Sequence, residues 1–186
     1  MSTVEPAFPT LTTARLTLRA VRSDDATPFH ALMSIADTTR YSNWPDRPPH
    51  EDVVKVIEKM SGTFAAGTGC SWIIEDRGTT GFVGSIRLNW IDREWKRGGI
   101  GYELHPAYWR QGLASEALRA VVACSHDTFG LNRLEAWTMP GNGASDRVLE
   151  KAGFQFECVK RQYAWFKGAF HDFRSFARLR SDALRG

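Results

Sequence analysis

The segment from Gly101 to Gly153 constrains the fold more than any other part of the 186-residue chain. A strand-like run ends at Leu104, a short turn follows, and apolar residues then recur at helical spacing from Gly112 to about Phe129. Such a strand-turn-helix junction directs consecutive backbone N–H groups and the positive end of a helix dipole at one point. The sequence therefore predicts an anion site at this turn, where Gly112 lets a phosphate approach the backbone closely.

Residue periodicity predicts further elements on both sides of this junction. The helical patterns cover about 23–33, 50–65 and 142–152. The strand patterns cover 15–19, 71–75, 81–90, 97–104, 133–138, 154–160 and 170–179. Turn formers and aromatics dominate residues 37–49, which predicts a loop. This order predicts an α/β fold with a mixed, mostly antiparallel, twisted sheet and helices on both faces.

Length and composition indicate one globular domain, which we place at residues 13–182 behind a loose polar leader at 1–12. No apolar run reaches the roughly 18 residues that a membrane span needs, and the first residues lack the pattern of a secretory signal. We therefore expect a cytoplasmic protein without a membrane partner. The three cysteines show no metal-ligand spacing, so no metal is expected. A net charge of +3 without a long basic run does not favour nucleic-acid binding.

Three motifs together resemble the GNAT N-acetyltransferase superfamily, in particular its branch of ribosomal-protein alanine N-acetyltransferases. The branch patterns and their matches are T-x-R-L-x-L-R at 13–19, Y-W-x-x-G-x-A-x-E-A at 108–117, and an asparagine, serine and Gly-Phe pattern at Asn142, Ser145, Gly153 and Phe154. The matches run in order over nearly the whole chain. Trp109 stands where the superfamily loop has Arg or Gln, as is usual in this branch. The resemblance implies a GNAT-like sheet splayed at its fourth strand and acetyl-CoA as cosubstrate.

The resemblance also assigns the predicted anion site to the pyrophosphate of acetyl-CoA. The expected cofactor-binding residues form the turn and the start of the helix: Leu104, His105, Trp109, Arg110, Gln111, Gly112, Leu113 and Ala114. Asn142 is expected to cap the following helix and to bond the pantetheine arm.

Glu103 is the candidate general base for the incoming ammonium, acting through water. Strand alternation puts Tyr102 and Leu104 on one face and Glu103 on the other. The resemblance supports this role, because related enzymes carry a general-base glutamate there. The alternative is a strand carboxylate that only pairs with an arginine such as Arg87.

Ser145 is the candidate acid for the CoA thiolate, a role that the resemblance implies. It lies in the first turn of its helix, where the dipole favours a nearby anion. The alternative is an ordinary early helical position behind an Asn142 cap, with Tyr163 as a second candidate acid. A covalent serine nucleophile would need a base such as His105 or His126 and lacks a G-x-S-x-G elbow, so direct attack is predicted.

Aromatic loops are expected to meet the acceptor amine, because exposed aromatics in loops often line pockets. The predicted substrate-binding residues are Tyr41, Trp44 and Trp90. The acids expected to attract a cationic amine are Asp46, Asp92 and Glu94. The resemblance leaves the acceptor open among protein N-termini, polyamines, amino-acid derivatives and antibiotics. An inactive CoA-binding regulatory module is the alternative function, and a homodimer stays open.

Overall fold

The computed structural model describes residues 7–182 and contains one eight-stranded sheet with five α-helices. The strands are β1 (Leu11–Thr12), β2 (Leu16–Ala20), β3 (Cys70–Asp76), β4 (Phe82–Asp92), β5 (Arg97–Leu104), β6 (Arg133–Thr138), β7 (Gln155–Phe166) and β8 (Ala169–Leu179). The helices are α1 (Ala26–Met33), α2 (Ala36–Thr39), α3 (His50–Gly62), α4 (Leu113–Asp127) and α5 (Gly143–Lys151). The spatial strand order is β1-β2-β3-β4-β5-β6-β8-β7.

The sheet opens where β5 meets β6. All other neighbours pair antiparallel, whereas β5 and β6 run parallel. This parallel ladder holds only residues 97–100 of β5, and residues 101–104 continue along β4 without a partner on the β6 side. The two halves of the sheet therefore diverge at the fourth predicted strand, which confirms the mixed, mostly antiparallel, splayed sheet expected from the sequence.

Two apolar cores cover the two faces of the sheet, as the expected helices on both faces require. On one face α1 and α3 pack together on the sheet, and their core includes Phe29, Ile57 and Ile73, each at most 1% exposed. On the other face α4 packs on β1, β2 and β4, and its core includes Leu118 and Ile74, both fully buried. Between residues 7 and 182, no helix has the length and apolar content needed to cross a membrane.

The predicted loose leader is wrong for the part of it that the structure describes. Phe8 packs edge-on against the rings of Phe64 and Trp72, at centroid distances of 5.2 and 6.0 Å. The Trp72 indole N–H donates to the carbonyl oxygen of Pro9 at 2.7 Å, and β1 pairs with β2. Burial of these apolar side chains holds residues 8–12 on the domain. The remainder of the predicted leader, residues 1–6, lies outside the described residues.

Two other boundaries differ from the sequence expectation. The predicted loop at 37–49 begins with the short helix α2, which ends at Thr39. The final two strands extend to 166 and back from 169, so they form a longer hairpin than predicted. Most of β7 is exposed, and a strand without a buried face gives little hydrophobic alternation to read.

Candidate active site

Strand β5 divides the candidate site between the two faces of the sheet. Tyr102 and Leu104 point towards α4 and α5: Leu104 joins the α4 core and the Tyr102 hydroxyl reaches Ser145 of α5. Glu103 points to the opposite face, where it meets Arg87 of β4. Both sets lie in the part of β5 that has lost its β6 neighbour. Groups from two faces of the sheet can therefore act on a molecule that enters the opening.

The turn after β5 is held by its own side chains. The Trp109 indole N–H donates to the carbonyl oxygen of Leu104 at 2.7 Å, and the Gln111 amide donates to the carbonyl oxygen of Ala107 at 2.8 Å. Nδ1 of His105 accepts from the Ala107 N–H at 3.2 Å. These bonds shape a compact loop on the solvent side of the β5–α4 junction.

The backbone N–H groups of residues 110–115 converge at the start of α4. Among the described residues none of these six groups donates a hydrogen bond to the protein. Arg110 and Gly112 have φ angles of +61° and +77°, and this left-handed turn directs successive N–H groups outward. The turn therefore has the geometry expected from the sequence, with free donors at the positive end of a helix, an arrangement that favours anions.

The first turn of α4 is anchored to the start of β2 through Glu116. The Arg15 guanidinium and Thr13 hydroxyl donate to the Glu116 carboxylate at 2.8 and 2.6 Å. Arg15 also donates to the carbonyl oxygen of Gln111 at 2.9 Å, inside the turn between β5 and α4. Burial acts to raise the pKa of Glu116, but the bonds from Thr13 and Arg15 outweigh it and hold this pKa below its ordinary value.

Glu103 lies in a buried polar cluster on the α1/α3 face. Nη2 of Arg87 donates to Oε2 of Glu103 at 2.9 Å, and Nη1 of Arg87 and the Ser85 hydroxyl both donate to Oε1. The side chains of Arg87 and Glu103 are 19% and 11% exposed. Burial acts to lower the pKa of Arg87, but the Glu103 carboxylate outweighs it and keeps this pKa above its ordinary value. The ion pair considered as the alternative for Glu103 is therefore the contact that the structure shows.

Ser145 lies in the first turn of α5, beside its cap. The Asn142 side chain accepts from the Ser145 N–H at 3.2 Å, the capping bond expected of it. The Ser145 Oγ lies 2.7 Å from the Tyr102 hydroxyl. Burial raises the pKa of Tyr102 well above its ordinary value, although the bond to Ser145 acts in the opposite direction.

The backbone N–H that faces the opening between β5 and β6 is that of Leu104, not that of His105. The His105 N–H donates to the carbonyl oxygen of Val83 at 2.8 Å, so it is not available to a ligand in the opening. Bonded and non-bonded residue pairs alternate along an antiparallel ladder. The N–H of Leu104 therefore points away from β4, towards the side on which β6 has diverged.

A cavity of about 500 Å³ lies on the Glu103 face, between α3, the loop at 43–45 and the sheet. Trp44 forms one wall and packs edge-on against Phe29 at 6.0 Å. Met60 and Leu88 add apolar surface, whereas Lys59, Arg87 and two asparagines supply the polar groups. Because Arg87 also binds Glu103, this cavity adjoins the candidate base.

Of the three aromatics predicted to bind substrate, only Trp44 lines this cavity. The Tyr41 ring lies against Gly141, where a β-carbon would be 3.5 Å from it. The Trp90 indole covers Gly99 so closely that a β-carbon there would be 2.2 Å from its Nε1. Tyr41 and Trp90 thus contact the backbone of the β6–α5 turn and of β5, which a loop position in the sequence does not reveal.

Two acids expected to attract the amine are engaged elsewhere. Asp46 pairs with Lys167 at 2.7 Å, and Asp92 pairs with Arg97 at 3.2 Å. Glu94 is exposed in the turn between β4 and β5 and does not line the cavity. The structure gives Asp46 and Asp92 each a cationic neighbour and places neither carboxylate in the lining of the cavity.

The alternative acid and the alternative bases lie away from Ser145. Tyr163 lies on the β7–β8 hairpin, half exposed, with its ring against Trp137 and Phe173. His126 is buried near the end of α4, where its Nδ1 bonds the carbonyl oxygen of Leu131. The described contacts of His105 stay within its own turn and the neighbouring strand. These contacts give no support to a serine nucleophile activated by histidine.

The chain is similar to known acetyltransferases in sequence and in fold. A family model described as an acetyltransferase (GNAT) domain matches residues 15–155. The uncharacterized N-acetyltransferase YoaA of Bacillus subtilis (strain 168) is 36% identical over 165 residues, which cover 89% of this chain and 93% of YoaA. The ribosomal-protein-serine acetyltransferase of Escherichia coli (strain K12) is 27% identical over 169 residues, which cover 88% and 92% of the two chains.

The fold is also that of a solved acetyltransferase. The structure of the ribosomal alpha-N-protein acetyltransferase RimL in complex with coenzyme A superposes with a TM-score of 0.84 at 22% identity, covering 92% of this chain and 98% of that one. At this identity the likeness concerns the fold alone. The matched family model and the identity to YoaA carry the assignment, in agreement with the three sequence motifs: the chain belongs to the GNAT acetyltransferase family.

Proposed function

We propose that the chain transfers the acetyl group of acetyl-CoA directly to a primary amine, with the two substrates reaching β5 from opposite faces of the sheet. The observation that carries this proposal is the group of six backbone N–H groups at residues 110–115, which have no partner within residues 7–182 and lie beside the opening between β5 and β6. A diphosphate fits such donors, and the opening leads from them to both Glu103 and Ser145. The coenzyme A complex of RimL, a protein of the same fold, supports this choice of ligand.

In this proposal the turn binds the pyrophosphate mainly through the backbone. The expected cofactor-binding residues are those of the turn and helix start, Leu104, His105, Trp109, Arg110, Gln111, Gly112, Leu113 and Ala114, together with Asn142. Trp109, His105 and Gln111 shape the turn through their bonds to its carbonyl and N–H groups, whereas the exposed Arg110 is free to meet a phosphate.

The opening in the sheet provides the place for the thioester. With β6 diverged, Leu104 N–H is directed to where the carbonyl oxygen of the acetyl group would lie, and it would stabilise negative charge that develops there. The amine would approach from the cavity beside Trp44 and Arg87. Direct attack then needs no covalent bond between the acetyl group and the protein.

Glu103 would accept the ammonium proton through a water molecule. Its contact with Arg87, a residue of the cavity lining, and its place at the divergent end of β5 support this role. The hydrogen bond from Arg87 fixes the orientation of the carboxylate. Ser145, on the other face, would donate its hydroxyl proton to the departing thiolate.

The charge and polarity of the cavity lining also limit which amines can bind as the acceptor. Its described lining contains Lys59 and Arg87 but no aspartate or glutamate, beside an apolar wall formed by Trp44 and Met60. Such a lining suits a single amine attached to an uncharged or anionic body better than a polyamine. The relationship to a ribosomal-protein-serine acetyltransferase supports a protein N-terminus as one such acceptor. We assign the activity to residues 13–182, with β1 as part of the folded unit.

An inactive CoA-binding regulatory module remains the alternative function. The test is release of CoA thiol from acetyl-CoA with a panel of amines: N-terminal peptides of ribosomal proteins, amino acids, their amides, and polyamines. The proposal expects turnover with at least one single amine and little with polyamines. Binding of CoA without turnover on any acceptor would establish the regulatory alternative, and absence of CoA binding in calorimetry would remove both.

A further inference from the structure

Tyr102 contacts Ser145, the proposed acid, through its hydroxyl group. It precedes Glu103 in β5 but points to the opposite face, where its hydroxyl lies 2.7 Å from Ser145 Oγ and 3.3 Å from the Ser145 carbonyl oxygen. The ring is largely buried against the α4 core. The tyrosine hydroxyl therefore reaches the single side chain assigned to protonate the thiolate.

The hydrogen bond between Tyr102 and Ser145 limits where the hydroxyl hydrogen of Ser145 can point. A phenol carries one hydrogen, and the nearer of its two acceptors is Ser145 Oγ. When Tyr102 donates to Oγ, the serine hydrogen must point to another acceptor. Burial raises the pKa of Tyr102, so the phenol keeps this hydrogen throughout the neutral and mildly alkaline range.

We propose that Tyr102 is a positioning residue for acetyl transfer: its hydroxyl donates to Ser145 Oγ and thereby directs the serine hydrogen towards the departing CoA thiolate. The inference rests on the proposed function. As the C–S bond breaks, the Ser145 O–H bond breaks and the S–H bond of CoA forms. Negative charge then left on Oγ is stabilised by the Tyr102 hydrogen bond and by the positive end of α5 until solvent returns the proton.

A double-mutant cycle between Tyr102 and Ser145 tests this inference, because a merely structural tyrosine would not couple to the serine. Tyr102→Phe keeps the ring and removes the hydroxyl. With Ser145 present, loss of one neutral hydrogen bond predicts a fall in kcat of about tenfold. KM for acetyl-CoA and the thermal midpoint should stay near the wild-type values. In the Ser145→Ala background, the same change should alter kcat less than about twofold.

The outcomes separate the inference from the proposed function. An equal loss of kcat from Tyr102→Phe in both backgrounds would show a structural role and overturn the inference, as would a Tyr102→Phe variant with full kcat. Full kcat in Ser145→Ala would remove the serine acid and the inference with it, although acetyl transfer would stand. A wild-type protein without turnover on any amine, or without CoA binding, would overturn the proposed function itself.

Discussion

Arg15 Nη2 lies 2.7 Å from Oε2 of Glu116, across 101 residues of sequence. The pair ties the start of β2 to the first turn of α4. Thr13 adds a hydroxyl donor and Arg15 a second bond, to Gln111, so the turn proposed to bind phosphate is fixed from outside the segment that forms it. Thr13 and Arg15 are the first and third residues of the N-terminal motif, which thereby gains a physical explanation.

Glu116→Gln should lower the free energy of unfolding by about 1 kcal/mol at pH 7, because Arg15 is half exposed and the pair is partly screened. The pKa of Glu116 is depressed in the folded state. Its contribution is therefore present above the unfolded pKa and is lost as the pH falls through the folded pKa. Urea unfolding at pH 7 and below about pH 4 should show the two proteins converging in acid. Asp52→Asn, which breaks an exposed helical pair with Lys55, is the matched control and should change stability far less.

Gly112→Ala should weaken CoA binding about tenfold, the equivalent of roughly 1.4 kcal/mol. A β-carbon at φ +77° has room, with its nearest neighbour 3.7 Å away, so the cost is backbone strain that the turn relieves by shifting its N–H groups. Gly130→Ala, at φ +67° beyond the other end of α4, imposes similar strain in open space. Calorimetry should find CoA affinity unchanged in that control; equal weakening in both variants would contradict a phosphate-binding role for the turn.

Glu103→Gln should reduce kcat at pH 7 by about 100-fold, the usual scale of general-base catalysis. Activity of the variant should then rise with pH, because only amine already neutral in solution would react.

The Glu103→Gln variant also leaves Arg87 buried without its carboxylate partner, which destabilises the fold independently of catalysis. The double variant Arg87→Gln with Glu103→Gln removes that unpaired charge. It should regain stability in thermal melts without regaining kcat, whereas an unchanged pH profile in the single variant would exclude Glu103 as the base.

Lys167→Met should raise KM for the acceptor by up to about fivefold, equivalent to roughly 1 kcal/mol, with little change in kcat. Lys167 donates to the Thr39 carbonyl oxygen at 3.0 Å and to Asp46 at 2.7 Å, joining the β7–β8 turn to the loop that carries Trp44. Without this link the Trp44 wall is less restrained. Asp46 is 77% exposed, so stability should change by less than about 1 kcal/mol. Lys55→Met, on the outer surface of α3, should leave KM unaltered.

Local patterns accounted for much of the fold. Strands 97–104 and 133–138 have the predicted bounds, and α5 lies within the helix predicted at 142–152, after its expected Asn142 cap. Strand alternation and helix caps act within a few residues, so they can be read along the chain. The exposed hairpin at 155–179 was harder to delimit, since neither alternation nor burial marks its outer half.

The sequence by itself determined the family, the order of the main strands and helices, and the turn that ends in Gly112, because each depends on motifs and periodicities within short segments. Only the tertiary structure decided that Glu103 meets Arg87, that Asp46 and Asp92 are already paired, and that Tyr102 reaches Ser145. These contacts join elements whose relative placement depends on where β5 and β6 diverge and on how the helices pack on the sheet. Packing of that kind sums many weak interactions over the whole domain, and no single segment encodes it.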